Sequence, residues 1–181
     1  MRTSVVPDSS EPVRDNPPEQ ALNRLITPVA GITVATAESC SGGAVAARIV
    51  SISGSSDYFL GGIVAYANDA KRRLLGVSEE ILASRGAVSA ECARAMVEGA
   101  RQAFGADVVV STTGIAGPGG ATARKPVGVV YLALATPAGI EAHEHRFAGD
   151  RAAIIAAATE AALHLLLRGV QETLNRDTSL A

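Results

Sequence analysis

Tryptophan is absent from this 181-residue chain and aromatic residues make up only 3% of it, so the core has to be built from Ala, Val, Leu and Ile. A core of that kind suits helices packed against a sheet rich in parallel pairings. Cysteine is nearly missing too. Cys40 and Cys92 lie far apart and form no CxxC or Cys/His spacing, which argues against a zinc site or a disulfide framework and suits a reducing cytoplasm. Of three histidines, His143 and His145 share one face of a strand pattern without a carboxylate or cysteine partner, and His164 falls in a helix pattern. No metal or other cofactor is expected. The net charge of −2 leaves no basic stripe for nucleic acid. No apolar run reaches the ~18 residues of a membrane span, and the N-terminus lacks the basic-then-apolar order of a signal peptide, so a cytoplasmic protein without membrane contact is expected.

What is present is 48% hydrophobic residues, enough for one domain with a real core. Residues 1–18 hold four of the eight prolines and read as a mobile tail, 19–174 as the domain, and 175–181 as a frayed end. Ala21, Leu22, Leu25, Ile26 and Val29 have helical spacing before a first strand at Ile32 to Thr36. A helix over Ala44 to Val50 precedes a strand over Gly61 to Ala67. Asn68 can cap the helix that Gly76 ends, Ser78 to Ser84 reads as a short helix, and Ser89 opens a longer one to Phe104. Asp107 to Thr113 reads as a buried strand, and Val127 to Thr136 with Ile140 to Phe147 reads as a hairpin that gives the sheet an antiparallel part. Asp150 caps a last helix, Arg151 to about Leu174.

The stretch from Thr33 to Gly43, TVATAESCSGG, reads as a strand delivering a loop into a helix. It places Ser39, Cys40 and Ser41 where unpaired N–H groups carry partial positive charge, a usual seat for nucleophiles and oxyanion donors. Ser39 or Ser41 could equally be the helix cap. A serine hydroxyl needs a neighbour to take its proton, and Tyr66-Ala67-Asn68-Asp69-Ala70-Lys71 offers one, because Lys71, about a turn into a helix, can reach back beside Tyr66. The plain alternative is a solvated lysine next to Arg72 and Arg73. The loop TTGIAGPGG, from Thr112 to Gly120, matches neither common nucleotide fingerprint, yet its N–H groups could cradle an anion, and Lys125 after it could meet a phosphate.

The segments AESCSGG, Gly54-Ser55-Ser56 with a following aromatic, YANDAK then LLGV, GAVS, TTGIAGPGG with KPVG, and FAGDR stand in one order over about Glu19 to Leu174. Together they resemble the CinA C-terminal domain family, the nicotinamide-nucleotide amidases. The resemblance implies a three-layer α/β/α fold with a mixed, mostly parallel sheet, and hydrolysis of the carboxamide of nicotinamide mononucleotide to nicotinate mononucleotide and ammonia. It implies Ser39 as nucleophile with Tyr66 and Lys71 beside it. On the substrate side stand Glu38, Cys40, Ser41, Gly42, Gly43 and Asn68, with N–H groups near Ser41 to Gly43 as oxyanion donors. Thr113, Gly114 and Gly117 are expected to line the nucleotide, and Lys125 and Arg151 to reach its phosphate. Family members usually read GDRxxIR at the last helix, whereas GDRAAII puts Ile155 where arginine is usual, an expected departure at the phosphate end. The first eighteen residues are too few for the N-terminal domain found fused in some members, so the stand-alone form is expected; a homo-oligomer is admissible. The opposing expectation is a nucleotide-binding or regulatory interaction domain without catalysis.

Overall fold

Side chains alternate across the two central strands, and the two faces so formed differ in bulk. The structure, a computed structural model, describes residues 16–28 and 31–180, with 177–180 described by backbone alone. On β3 (Val108–Gly114), Val108 and Val110 join one core cluster and Val109 the other. On β4 (Val129–Thr136), Val130, Leu132 and Leu134 face the first cluster while Ala133 and Ala135 face the second. The bulky face is covered by α1 (Pro18–Ile26), α2 (Ala44–Val50) and α6 (Arg151–Leu180). The alanine face lies under α3 (Asn68–Leu75), α4 (Glu79–Ser84) and α5 (Ala90–Phe104), with Cys92, Ala93, Met96, Val97 and Ala100 of α5 fully buried. Small residues there let α5 sit close to the sheet.

With β1 (Val34–Glu38), β2 (Phe59–Val64) and β5 (Gly139–Arg146) the sheet has the order β2-β1-β3-β4-β5. β1 pairs in parallel with both β2 and β3, whereas β3, β4 and β5 pair antiparallel. Four strands therefore share a direction and β4 alone opposes them. This is the three-layer α/β/α domain with a mixed sheet that the sequence implies.

Several boundaries differ from the sequence reading. β2 starts two residues earlier and ends at Val64, because its register pairs Val34 with Phe59 and Glu38 with Val64. Asn68 is not a cap: Ala67 holds that place and Asn68 is the first helical residue. Helix α6 runs on to Leu180, since no Gly or Pro follows Leu174 to stop it. At its other end Asp150 does cap it, accepting a hydrogen bond from Ala153 N–H at 2.9 Å. The mobile-tail expectation falls, for residues 1–15, outside the described residues, as does the helical position of Val29.

Contrary to the reading that no segment could span a membrane, α6 between Arg151 and Arg176 is long and apolar enough to do so by length and composition. Its Ile154, Ala158, Ala162, Leu163, Leu166 and Val170 are instead buried against the sheet, which makes it a core helix.

The long loop between β3 and β4 is pinned at its far end by Gly128. Its N–H donates to Ile115 C=O at 2.8 Å and its C=O accepts from Phe147 N–H at 2.9 Å. At φ +93° the backbone is left-handed, and a Cβ would collide with the Phe147 carbonyl oxygen. Gly128→Ala is expected to cost about 2–4 kcal/mol, read as a lowered urea midpoint at unchanged slope.

Candidate active site

From β1 the chain leaves into α2 on the bulky face, and from β2 it leaves into α3 on the alanine face. Neighbouring parallel strands whose connections depart to opposite faces leave a crevice at their carboxyl ends, a usual place for a site in α/β sheets. Ser39 follows β1 there, Lys71 and Tyr66 follow β2, and Thr112 to Gly117 end β3. The ladder continues into the crevice, for Ser39 N–H donates to Thr112 C=O at 2.9 Å and Ala65 N–H to Glu38 C=O at 2.8 Å.

Helical side chains lean toward the start of their helix, so Lys71, one turn into α3, reaches back over the end of β2. Its Nζ lies 2.9 Å from Ser39 Oγ, 2.8 Å from the Ala65 carbonyl and 3.1 Å from the Tyr66 carbonyl. Lys71 is 1% exposed and Ser39 7%. Burial lowers the lysine pKa below its ordinary value of 10.5, with Cys92 and Cys40 opposing weakly. The solvated-lysine alternative is thereby excluded. When Lys71 is charged, all three of its hydrogens have acceptors. Once neutral, its two remaining hydrogens can stay on the two carbonyls, and its lone pair then faces the Ser39 hydroxyl.

The pair opens into a cavity of about 270 Å³. Ser39, Cys40, Tyr66, Asn68 and Lys71 line one side, and Ala87, Val88, Thr113, Gly114, Ile115, Ala116, Gly117, Gly119, Gly120 and Arg151 line the rest. Among these lining residues Arg151 is a cation, Lys71 is one whenever protonated, and there is no carboxylate, so an anionic ligand meets attraction without opposition. Arg151 donates to the Gly117 carbonyl at 2.7 Å and to the Tyr66 hydroxyl at 2.8 Å, which stations its guanidinium at the mouth. Thr113 donates its hydroxyl to Ala87 C=O at 2.7 Å, tying the β3 end to the turn before α5.

Cys40 is pushed up to about 11 by burial, against the opposing effects of its hydrogen bond with Thr112, the Cys40 and Ser41 N–H groups and the Lys71 charge. Cys92 likewise stands at about 11, chiefly through burial. Both thiols stay protonated at neutral pH and make poor nucleophiles, which favours Ser39 on this turn.

Other sequence-derived candidates are placed differently. Tyr66 contributes its backbone carbonyl to Lys71, but the residue is 60% exposed and its hydroxyl is engaged by Arg151, so among the described residues a proton relay to Ser39 has no hydrogen bond to run through. Glu38 is buried and faces away from the cavity, accepting from Gly43 N–H at 2.9 Å, Val45 N–H at 3.1 Å and Ala46 N–H at 2.8 Å. Gly42 N–H donates to Ser39 C=O at 3.1 Å. The N–H groups of both glycines are thus already spent, and neither glycine nor Ser41 lines the cavity; Gly42 and Gly43 serve left-handed backbone at φ +64° and +100°. Lys125 donates to Arg85 C=O at 2.7 Å, away from the cavity. Ile155 also lies elsewhere, beside Ala44, Ala47, Ala152 and Ala156 in an apolar groove between α2 and α6. Ile155 itself does not line the cavity. Sequence reasoning missed Thr112 and the Ala87-Val88 wall, although GAVS marked the latter.

Fold and crevice together define a three-layer α/β domain built around a buried serine–lysine pair, suited to activating a hydroxyl. The chain belongs to the CinA C-terminal domain family, whose model matches residues 17–170. It is 52% identical over 154 residues to a CinA-like protein from Geobacter sulfurreducens, covering 85% of this chain and 37% of that protein. Over 140 residues it is 51% identical to a putative competence-damage inducible protein from Moorella thermoacetica, covering 77% of this chain and 34% of that one. The chain thus spans about a third of the length of the curated relatives it matches. Among solved structures, the competence/damage inducible protein CihA from Agrobacterium tumefaciens aligns with TM-score 0.79 at 40% identity, over 92% of this chain and 98% of that one. A CinA superfamily protein from Enterobacter cloacae aligns with TM-score 0.79 at 28% identity, over 94% and 99%.

Proposed function

We propose that this domain hydrolyses the carboxamide of nicotinamide mononucleotide to nicotinate mononucleotide and ammonia, with Ser39 as nucleophile and Lys71 as base. The observation that carries the reading is the Lys71 Nζ, 2.9 Å from Ser39 Oγ with its other hydrogens held by two carbonyls. Neutral Lys71 takes the Ser39 proton as Oγ attacks the amide carbon. Lys71 then returns the proton to the departing nitrogen, the C–N bond breaks, and ammonia leaves an ester on Ser39. Water, deprotonated by Lys71, cleaves that ester.

The oxyanion needs donors other than Gly42 and Gly43, and we assign the N–H of Cys40, the next residue after Ser39 on the turn and part of the cavity wall. Arg151 has guanidinium hydrogens beyond those given to Gly117 and Tyr66, and these suit a phosphate at the mouth. A bound pyridinium cation would lower the Lys71 pKa further, so substrate helps to neutralise its own base. The reading without catalysis drew on Ile155, and the location of Ile155 outside the cavity removes that support. Purified protein incubated with nicotinamide mononucleotide is expected to release ammonia in equal amount to nicotinate mononucleotide. Absence of both products would sink the reading.

In the same assay kcat/KM is expected to rise with pH, levelling off at a midpoint below the ordinary lysine value of 10.5. The sign follows from burial, which favours the neutral, working form of Lys71. A profile flat from pH 6 to 10 would remove the lysine from the rate equation.

A further inference from the structure

We propose that Glu38, Ser41 and Thr112 form a one-way hydrogen-bond relay that sets the position of Ser39, making them positioning residues for the reaction proposed above. All three are buried, at 1%, 5% and 0% exposure. The direction of the relay follows from its far end. Glu38 Oε2 accepts the N–H groups of Gly43 and Val45, and Oε1 accepts that of Ala46, so in the 2.7 Å bond between Ser41 Oγ and Oε2 the hydroxyl is the donor.

With its hydrogen spent, Ser41 can only accept in its 2.6 Å bond with Thr112 Oγ1. Thr112 in turn has only lone pairs left, so it accepts from the protonated Cys40 thiol in their hydrogen bond and receives the Ser39 N–H at 3.3 Å, the same N–H that bonds the Thr112 carbonyl at 2.9 Å. The order of donation is therefore Ser39 to Thr112 to Ser41 to Glu38. One carboxylate thus fixes the start of α2, through three N–H groups, and the end of β1, through two hydroxyls. Ser39 is the residue suspended between those two anchors, and the 2.9 Å approach of its Oγ to Lys71 depends on both. None of the three relay residues lines the cavity. Loosening them should therefore slow the chemical step and spare binding.

Thr112→Val removes the hydroxyl at nearly constant volume, and Thr112→Ser restores it. Two readouts separate the relay from the amidase reading on which it rests: kcat and KM for nicotinamide mononucleotide, and the rate at which phenylmethylsulfonyl fluoride labels Ser39, followed by intact mass. Thr112→Val is expected to lower kcat and the labelling rate by the same factor, ~10- to 100-fold, the scale of a slight misplacement of a reacting group. KM should stay within about threefold, as expected when only the chemical step is hit. Thr112→Ser should recover most of the loss, and Ser41→Ala combined with Thr112→Val should be no worse than either alone, because both cut one chain. Glu38→Gln, which orphans N–H donors at the helix start, serves only as a check on stability. Labelling of Ser39 in Thr112→Val at the wild-type rate would overturn the relay even if ammonia release is confirmed. Loss of labelling in that variant, in a protein that releases no ammonia, would uphold the relay and sink only the substrate assignment.

Discussion

Ser39→Ala is expected to cut ammonia release by ~10⁴-fold or more, the scale seen when a serine nucleophile is deleted. The fold should not register the change. Among the described residues Ser39 Oγ has one polar partner, the Lys71 Nζ, and that amine keeps its two carbonyl acceptors when the hydroxyl is gone. The melting temperature should therefore stay within about 2 °C, a small ΔΔG for a domain of this size. Cys40→Ala is the control on the same turn. With its thiol held at about 11, Cys40 has little thiolate to offer, so its loss should cost activity only through packing, within about tenfold. A dead Cys40→Ala beside an active Ser39→Ala would reverse the assignment.

Lys71→Arg is expected to lower kcat by ~100-fold or more, the lower bound for losing a general base. Arginine keeps the positive charge but does not release its proton in the working pH range, so it cannot accept one from Ser39. The planar guanidinium is also larger than the site of an ammonium held within 3.1 Å of three oxygens. Part of the loss could thus come from displacement, and Lys71→Met resolves this. Methionine fits the space and offers no base, so it should be as inactive as arginine. Its stability should stay close to that of wild type at neutral pH, because removing a buried amine offsets the loss of the hydrogen bonds to two carbonyls. Lys71 has a folded pKa below its unfolded value, so the unfolded chain binds more protons, and burying the amine costs stability that is recovered only as pH rises toward 10.5. Arg72→Lys, exposed and paired with Asp69 on the far side of the same helix, should turn over normally. Full activity in Lys71→Arg would force the search for a base toward Tyr66.

How far the sequence reached depended on whether a property is local. Apolar period and turn residues located the six helices and five strands of the described residues to within a few positions, apart from the end of α6, which runs six residues beyond Leu174, because faces and stops are written in neighbouring positions. Lys71 could be placed one turn into a helix, yet its burial could not be read, since that depends on β2 and α3 flanking β1 in the sheet order. Glu38 misled for the same reason. Its N–H partners lie five to eight residues on, and the left-handed turn at Gly42-Gly43 folds them back onto the carboxylate. Lys125 stood beside a glycine-rich loop and read as a phosphate ligand, whereas the loop carries it across to the Arg85 carbonyl. Thr112 went unnoticed because its side chain alternates away from the cavity that Thr113 lines.

The place of α6 in chain order sets when the protein can exist as such. All five strands precede Arg151, yet the bulky face formed by Val108, Val110, Val130, Leu132 and Leu134 is closed only when α6 arrives. A nascent chain halted before that helix would carry the whole serine–lysine crevice in its sequence and still present an uncovered valine and leucine surface to the cell. Chaperones and proteases recognise such surfaces. Arg151, the first residue of that helix, is also the cation at the cavity mouth. Synthesis therefore delivers the last wall of the core and the arginine of the cavity mouth in the same stroke.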